Sequence, residues 1–286
     1  MARRSPLVLA AVVAALWLAP PGARAAGEAH VETHTATSPA GEVRAELRYT
    51  KRDLFMYEDV RVKITRAGQV LLDAPVPPPC DECPINPSGG GDFDSMQLLD
   101  LDKDGEPEAM VDLYTGGAHC CLFSVIYGYR AATNVYDHTI QGWQDAGYTL
   151  KDLDGDGSPE FRSADARFAY AFTAYVFSGF PIQVFRYRDL DMTDVTRRFK
   201  RLVKRDARSH LKIYRRARKD EDADVRGFLA AYVADKYRLG QGKSAWSLVY
   251  AAYRRGELHG PTGDESASGK GYIKALRKFL RQLGYS

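Results

Sequence analysis

The sequence predicts an α+β protein in which a β-rich N-terminal module precedes a small, basic, helical C-terminal module. Apolar and polar residues alternate at strand spacing up to about residue 192, and apolar residues recur at helical spacing from residue 193 onward. The charge changes sign at the same place. Residues 26–192 hold 14 Lys/Arg and 27 Asp/Glu, a net charge of −13, whereas residues 193–286 hold 23 and 10, a net charge of +13. This asymmetry favours two modules, 26–192 and 193–286.

Residues 1–25 have the layout of a secretory signal peptide. Arg3 and Arg4 form a basic start, residues 7–18 are an apolar run, and Ala23 and Ala25 offer a small-x-small cleavage site. The apolar run is too short to span a bilayer, which argues against a membrane anchor. We therefore expect cleavage near Ala25 and a secreted protein, extracellular or on the outside of the cell envelope and not transmembrane.

The alternation is clearest over residues 42–50, where Val43, Ala45, Leu47 and Tyr49 share one face of a half-buried strand. The same reasoning predicts further strands, and Pro and Gly clusters predict one long loop over 74–91. The predicted strands are 59–65, 70–72, 96–99, 109–114, 121–129, 134–140, 160–163, 174–177 and 182–187. Their arrangement stays open between a twisted sheet, a sandwich and a partial propeller.

The C-terminal module is predicted to contain four helices. Thr193 or Asp194 can cap the first, along which Val195, Phe199 and Val203 recur at helical spacing. The others are predicted over 222–238, 243–255 and 271–283. We interpret their apolar stripes as the core of a bundle.

The four cysteines, Cys80, Cys83, Cys120 and Cys121, agree with export, because an even number in an exported chain predicts disulfide bonds. Adjacent cysteines rarely bridge each other, since the small ring strains the peptide between them. We therefore expect two bridges from the 80/83 pair to the 120/121 pair, in an order that stays open. Each would close a loop of about 40 residues and contribute about 4 kcal/mol. A four-cysteine zinc site is disfavoured, because vicinal thiolates suit tetrahedral zinc poorly.

The strongest chemical signal occurs twice, as DLDKDGEPE in the first acidic loop (residues 100–108) and DLDGDGSPE in the second acidic loop (residues 152–160). Calcium takes about six to eight oxygen ligands in flexible geometry. Carboxylates at positions 1, 3 and 5 can point inward from one tight turn that the glycine at position 6 permits. The main-chain carbonyl of position 7 and the glutamate at position 9 complete the cage. The sequence thus predicts two Ca²⁺ sites, with ligands from Asp100, Asp102, Asp104, Glu106 and Glu108, and from Asp152, Asp154, Asp156, Ser158 and Glu160.

An EF-hand is excluded, because its closing carboxylate at position 12 is replaced by Val111 in the first loop and Ser163 in the second. The loops resemble those of the FG-GAP and VCBS repeat families of extracellular β proteins, in which a D-x-D-x-D-G-x-x-D/E loop joins two strands. The resemblance covers about 96–114 and 148–163. It implies calcium ligation by the acidic residues of both loops. Two units are too few to close a propeller.

The basic stretch 197–219 allows three interpretations: a solvated helix face, a surface that docks on the acidic module, or a binding site for an anionic partner. The partner would be an anionic envelope polymer or another protein. No specific binding to nucleic acid is predicted, and the oligomeric state stays open.

No catalytic residues are assigned. GxSxG, HExxH and P-loop motifs are absent from the sequence, and His119 and Cys120 are adjacent, so they would point to opposite faces of a strand. The leading hypothesis is a non-enzymatic, secreted protein in which calcium is mainly structural and which recognises a partner at the envelope. The alternative is a secreted hydrolase whose acidic site is supported by calcium.

Overall fold

A computed structural model describes residues 27–53, 56–88, 94–116, 121–220, 222–260 and 268–286. It confirms the α+β class, with β-sheets in the N-terminal part and helices in the C-terminal part. The predicted signal peptide lies outside the described residues.

The thirteen described strands precede the four described α-helices along the chain. The strands are β1 (Glu28–Ser38), β2 (Gly41–Asp53), β3 (Met56–Arg66), β4 (Gln69–Pro75), β5 (Asn86–Pro87), β6 (Met96–Leu99), β7 (Glu108–Tyr114), β8 (Leu122–Arg130), β9 (Val135–Gln144), β10 (Thr149–Lys151), β11 (Glu160–Ala164), β12 (Ile182–Arg188) and β13 (Asp191–Asp194). The helices are α1 (Lys200–Ala217), α2 (Arg226–Arg238), α3 (Gly242–Arg254) and α4 (Gly269–Gln282).

The strands form three antiparallel sheets in which most strands pair with their neighbours in sequence, whereas β5 pairs with β7. The first sheet has the order β1-β2-β3-β4, the second β5-β7-β8-β9 with β6 also paired to β7, and the third β10-β11-β12-β13. Antiparallel neighbours can be joined by tight hairpins, as between β1 and β2 and between β3 and β4.

The three sheets and the helices are stacked in chain order, because successive side chains of a strand point to opposite faces. On β7, Val111 packs with the first sheet and Met110 packs with the third. The far face of the third sheet, through Val184, packs against Val203 of α1. The second sheet is therefore covered on both faces.

The helices enclose a core of their own, as their apolar stripes predicted. It includes Leu229, Val249, Tyr272 and Leu276, each of which has no exposed surface. The Tyr272 hydroxyl donates to the main-chain oxygen of Arg226 at 2.8 Å, so its polar end is satisfied inside the core.

Two predicted elements were wrong. Residues 174–177 are not a strand, because Tyr175–Phe177 forms a 3-10 helix. The first helix does not begin at Thr193 or Asp194, because these residues lie on β13, where Asp194 pairs with Phe185 of β12. The Asp194 side chain instead accepts the amide of Thr196 at 2.9 Å, and α1 begins at Lys200.

The predicted pairing of the cysteines was also wrong. Cys80 forms a disulfide bond with Cys83, because a turn closed by the Cys83 amide on the Cys80 carbonyl at 3.1 Å brings their Cα atoms to 5.2 Å. Cys121 is disulfide-bonded as well, and its partner is neither of these two. Cys120 lies outside the described residues.

In the part of the chain that the structure describes, no helix has both the length and the apolar character that crossing a bilayer requires.

Candidate metal centre in two acidic loops

The two acidic loops occupy equivalent places in consecutive sheets. The first connects β6 to β7 and the second connects β10 to β11, and in each case the two strands pair antiparallel. The glutamate at position 9 is the first residue of the second strand in both loops, and its side chain is buried. The two loops thus lie at equivalent positions at the edges of the second and third sheets.

The two loops have the same backbone conformation. At position 4, φ is 64° for Lys103 and 83° for Gly155. At position 6, φ is 91° for Gly105 and 87° for Gly157. Since glycine adopts positive φ without strain, the glycine at position 6 permits this turn, as the sequence predicted.

Hydrogen bonds inside the two loops also match. The carboxylate at position 1 accepts the amide of position 6 at 3.1 Å in the first loop and 2.9 Å in the second. The carboxylate at position 3 accepts the amide of position 5 at 3.3 Å in both. The glutamate at position 9 accepts the amide of position 2 at 2.8 and 2.9 Å. These bonds fix the acidic side chains before any ion binds.

Positions 1, 3 and 9 bring their carboxylates together in both loops. One oxygen of each lies within 4.8 Å of the others, in the groups Asp100, Asp102, Glu108 and Asp152, Asp154, Glu160. Two oxygens bound to one calcium ion at about 2.4 Å are at most about 4.8 Å apart, so both groups fit one ion. The residues present therefore suit calcium, a cation that prefers oxygen ligands.

The other predicted ligands lie apart from these groups. The aspartate at position 5 accepts the amide of position 7, at 2.7 Å for Asp104 and 2.9 Å for Asp156. The Glu106 side chain pairs with Arg66 at 2.6 Å and so is already engaged. At position 7, the main-chain carbonyls of Glu106 and Ser158 stay predicted ligands.

Negative charge is concentrated in the first loop. Burial raises the pKa of Glu108 to about 9, and the carboxylates of Asp102, Asp104 and Asp100 contribute to the same shift. Burial likewise raises the pKa of Asp104. The charges that raise the pKa of Glu108 are carboxylates of its own loop, and a cation bound among them would stabilise its ionised form.

An arginine side chain from a neighbouring strand supplies positive charge to the second loop. Arg186 of β12 contacts Asp156 at 2.9 Å and Asp154 at 3.2 Å, and it also pairs with Glu160. The pairing of Phe161 with Phe185 places Arg186 beside Glu160 on the neighbouring strand. The Ser158 amide, and then the charge of Arg186, hold the pKa of Asp156 below its usual value.

Sequence reasoning missed Arg186, because only the register of β11 against β12 shows that it reaches the second loop. It also missed the contact between the loops. Lys103 donates to the Asp156 carbonyl at 2.9 Å, and the Asp189 amide donates to Asp102 at 2.9 Å. The two candidate sites are therefore neighbours on one surface.

A second feature that the sequence did not indicate is a cavity of about 480 Å³ beside β7. Asp112, on the strand that follows the first acidic loop, accepts the Tyr148 hydroxyl at 2.6 Å and also pairs with the Ser124 hydroxyl. Trp143 donates to Ser124 at 2.8 Å. Burial raises the pKa of Asp112. This network holds one carboxyl group in a fixed orientation at the cavity wall.

The basic stretch lies mostly on α1, and its Lys and Arg side chains are exposed. Arg198 reaches the second loop at Asp154 (3.3 Å), and Arg218 pairs with Glu257 (2.8 Å). The exposed residues are Arg197, Arg198, Lys200, Arg201, Lys204, Arg205, Arg208, Lys212, Arg215, Arg216, Arg218 and Lys219.

Comparisons with known proteins cover the helical module and part of the β-rich module. A protein-family model described as the sll0997 C-terminal domain matches residues 203–284, which include most of α1 and all of α2 to α4. The two acidic loops lie outside this match. No solved structure matches the chain.

Two relatives are similar over longer stretches. The "Probable thylakoid lumen protein sll0997" of Synechocystis is 30% identical over 212 residues, 66% of this chain and 60% of the relative. The "Uncharacterized protein y4bJ" of Sinorhizobium fredii is 31% identical over 206 residues, 66% of this chain and 32% of the relative. The chain thus spans less than two thirds of either relative. Both matches are longer than the helical module, so they extend into the β-rich module.

Proposed function

We propose that this chain is an exported protein that binds calcium in its two acidic loops, where the ion stabilises the β-rich module for recognition of a partner. The observation that carries the proposal is the repeated grouping of three carboxylate oxygens within 4.8 Å, on matched backbones in two consecutive sheets. An acidic surface turn has no need of this arrangement, because like charges so close together repel one another.

Of the two loops, the first is the stronger calcium site in this proposal. The charges around Glu108 are negative, whereas Arg186 already compensates the carboxylates of the second loop. Calcium can bind in the second loop only if it displaces this guanidinium or shares the carboxylates with it. The first loop therefore binds calcium at lower concentration than the second.

Export is supported by two independent observations. The first 25 residues have the signal-peptide layout, and one relative is named as a probable protein of the thylakoid lumen. Together they favour a translocated, non-cytosolic protein. We propose the extracellular space or the exterior of the cell envelope as the compartment.

The exposed basic face of α1 is the proposed partner surface, with an anionic envelope polymer as its ligand. This binding would rest on long-range electrostatic attraction. Binding to a polyanion such as dextran sulfate should therefore weaken steeply as the salt concentration rises. Replacing Lys204, Arg208 and Lys212 by Gln should reduce retention on a dextran sulfate column. Replacing Lys243, Lys274 and Lys278, which lie on α3 and α4, serves as the control.

The calcium proposal is tested by thermal unfolding of the mature chain in excess EDTA and in millimolar calcium. At a calcium concentration of about 100 times Kd, linkage adds about 2.7 kcal/mol, which corresponds to a rise of several degrees in Tm. The rise should vanish when Asp100 and Asp152 are both changed to Ala. An unchanged Tm, with no calcium bound in equilibrium dialysis, would refute the proposal.

A second candidate function is a hydrolase in which calcium supports an acidic site. Asp112 favours it, because this half-buried carboxyl group lies at a cavity, on the strand that follows the first acidic loop. In that case Asp112→Asn would abolish hydrolysis of a glycosidic or ester substrate while the Tm is preserved. A library of chromogenic substrates, with Asp137→Asn on exposed β9 as control, provides the measurement.

A further inference from the structure

A second group of metal-ligating side chains lies in the helical module, far along the chain from the acidic loops. Asp206 and His210 stand one turn apart on α1, and Asp235 faces them from α2. One ligand atom of each residue lies within 4.8 Å of the others. All three belong to the stretch matched by the family model.

The distances within this group suit a small divalent cation. His210 Nδ1 lies 3.1 Å from Asp235 Oδ2 and 3.7 Å from Asp206 Oδ2. Two ligands bound tetrahedrally to one ion at about 2.0–2.1 Å are about 3.3 Å apart. The side chains therefore need only small shifts to share one ion.

Burial gives an independent reason to expect a ligand. Asp235 is fully buried, and its Oδ1 has no hydrogen-bond partner among the residues that the structure describes. Its neighbour Asp206 offers only carboxylate oxygens, and His210 already contacts the other oxygen of Asp235. A buried acceptor without a donor is costly, and a bound cation would satisfy it.

Charge points in the same direction. Two carboxylates and a neutral imidazole around a divalent ion form a neutral unit, which suits a buried place. Asp206 is further held by the Ile182 amide, which donates to its Oδ2 at 2.8 Å. Such a bond orients a metal ligand from outside the coordination sphere.

We infer that Asp206, His210 and Asp235 form a binding site for one transition-metal ion of the zinc class. The imidazole ligand favours zinc or a similar ion over calcium, which prefers oxygen alone. Asp206 is 24% exposed, so the ion can reach the site from that side and keep a water molecule in the remaining position. The inference concerns the helical module and does not depend on calcium in the acidic loops.

The test is a zinc titration of the metal-stripped mature chain in competition with a chromophoric chelator, in the presence of millimolar calcium. We expect one zinc ion per chain. Asp235→Asn and His210→Gln should each weaken binding at least about tenfold. His138→Gln, on exposed β9, is the matched control and should leave the affinity unchanged. Changing both Asp100 and Asp152 to Ala should also leave it unchanged.

If a buried variant fails to fold, as judged by circular dichroism, the partly exposed Asp206→Asn decides the question. Cobalt substitution gives a second readout, because an ion held by nitrogen and oxygen in a tetrahedral site has visible absorption bands that Asp206→Asn should remove. The inference is overturned if the parent chain binds no zinc, or if zinc affinity is unchanged in all three site variants. The group is then a buried hydrogen-bonded cluster.

Discussion

The two acidic loops share a sequence pattern, a backbone conformation and a set of internal hydrogen bonds, and they differ in the origin of the positive charge near them. In the second loop Arg186 contacts three of the carboxylates, whereas in the first loop the charges around Glu108 are negative. Nine residues of local sequence therefore fix the shape of such a loop. We propose that the strand that pairs beside the loop decides how strongly the loop binds an ion.

The largest expected effect on stability comes from replacing Arg186, because this arginine compensates the second loop and not the first. Arg186→Gln leaves buried Glu160 and its neighbours without compensation, which should lower the free energy of unfolding by about 3 kcal/mol in EDTA. Millimolar calcium should recover most of this loss, because the second loop then resembles the first. Urea unfolding in both conditions measures the difference.

Arg188→Gln is the matched control, because Arg188 lies exposed at the end of the same strand. It should change stability little in either condition. An equal loss for Arg186→Gln with and without calcium would show that the arginine is a structural ion pair and that calcium does not replace it.

The second prediction concerns the buried glutamates at position 9, which should respond with opposite signs in EDTA. Glu160→Gln removes the charged partner of Arg186 and should cost about 2 kcal/mol. Glu108→Gln mimics the protonated acid, which the raised pKa of Glu108 favours in the calcium-free chain, so it removes the cost of taking up that proton on folding and should stabilise by about 1 kcal/mol near neutral pH. Both amides can still accept the amide of position 2. In calcium, Glu108→Gln should instead be less stable than the parent chain, since it loses a ligand.

Stability curves of the two variants, each in EDTA and in calcium, provide the measurement. The account of the first loop is contradicted if Glu108→Gln destabilises the calcium-free chain as much as Glu160→Gln does.

The smallest expected effect on stability comes from replacing the glycine at position 6, which tests the backbone conformation that the two loops share. Gly105→Ala and Gly157→Ala should each cost about 1 kcal/mol, with or without calcium, because both positions have positive φ. Gly157→Ala should cost slightly more, since a Cβ there would lie 1.7 Å from Lys103 Nζ, which must move. Gly142→Ala, where a Cβ meets nothing within 4 Å, is the control. Thermal unfolding resolves differences of this size, and a neutral result at both loop glycines would contradict the shared backbone geometry.

Much of the fold follows from local patterns. The alternation of Val43, Ala45 and Leu47 predicted β2, and these side chains are fully buried. The loop motif placed three carboxylates of each site together. The helices α2 to α4 lie within a few residues of their predicted bounds, because their apolar stripes repeat at helical spacing.

The remaining features depend on contacts that local patterns do not contain. Asp194 lies on β13 because it pairs with Phe185, and that register is decided across the sheet. β1 went unpredicted because its alternating residues, such as His30, Glu32 and His34, are polar rather than apolar. The disulfide between Cys80 and Cys83 is an exception, because it closes within one local turn that the sequence reasoning did not anticipate. Arg186 and the Asp206–His210–Asp235 group each bring together residues from different strands or helices.

The most direct test of the central claim is a calorimetric calcium titration of the mature chain, of Asp102→Asn and of Asp154→Asn, the two variants at position 3. The account predicts one tight calcium ion that is lost in Asp102→Asn and retained in Asp154→Asn, with any second ion binding more weakly. Absence of calcium binding, or loss of the tight ion in Asp154→Asn alone, would contradict it.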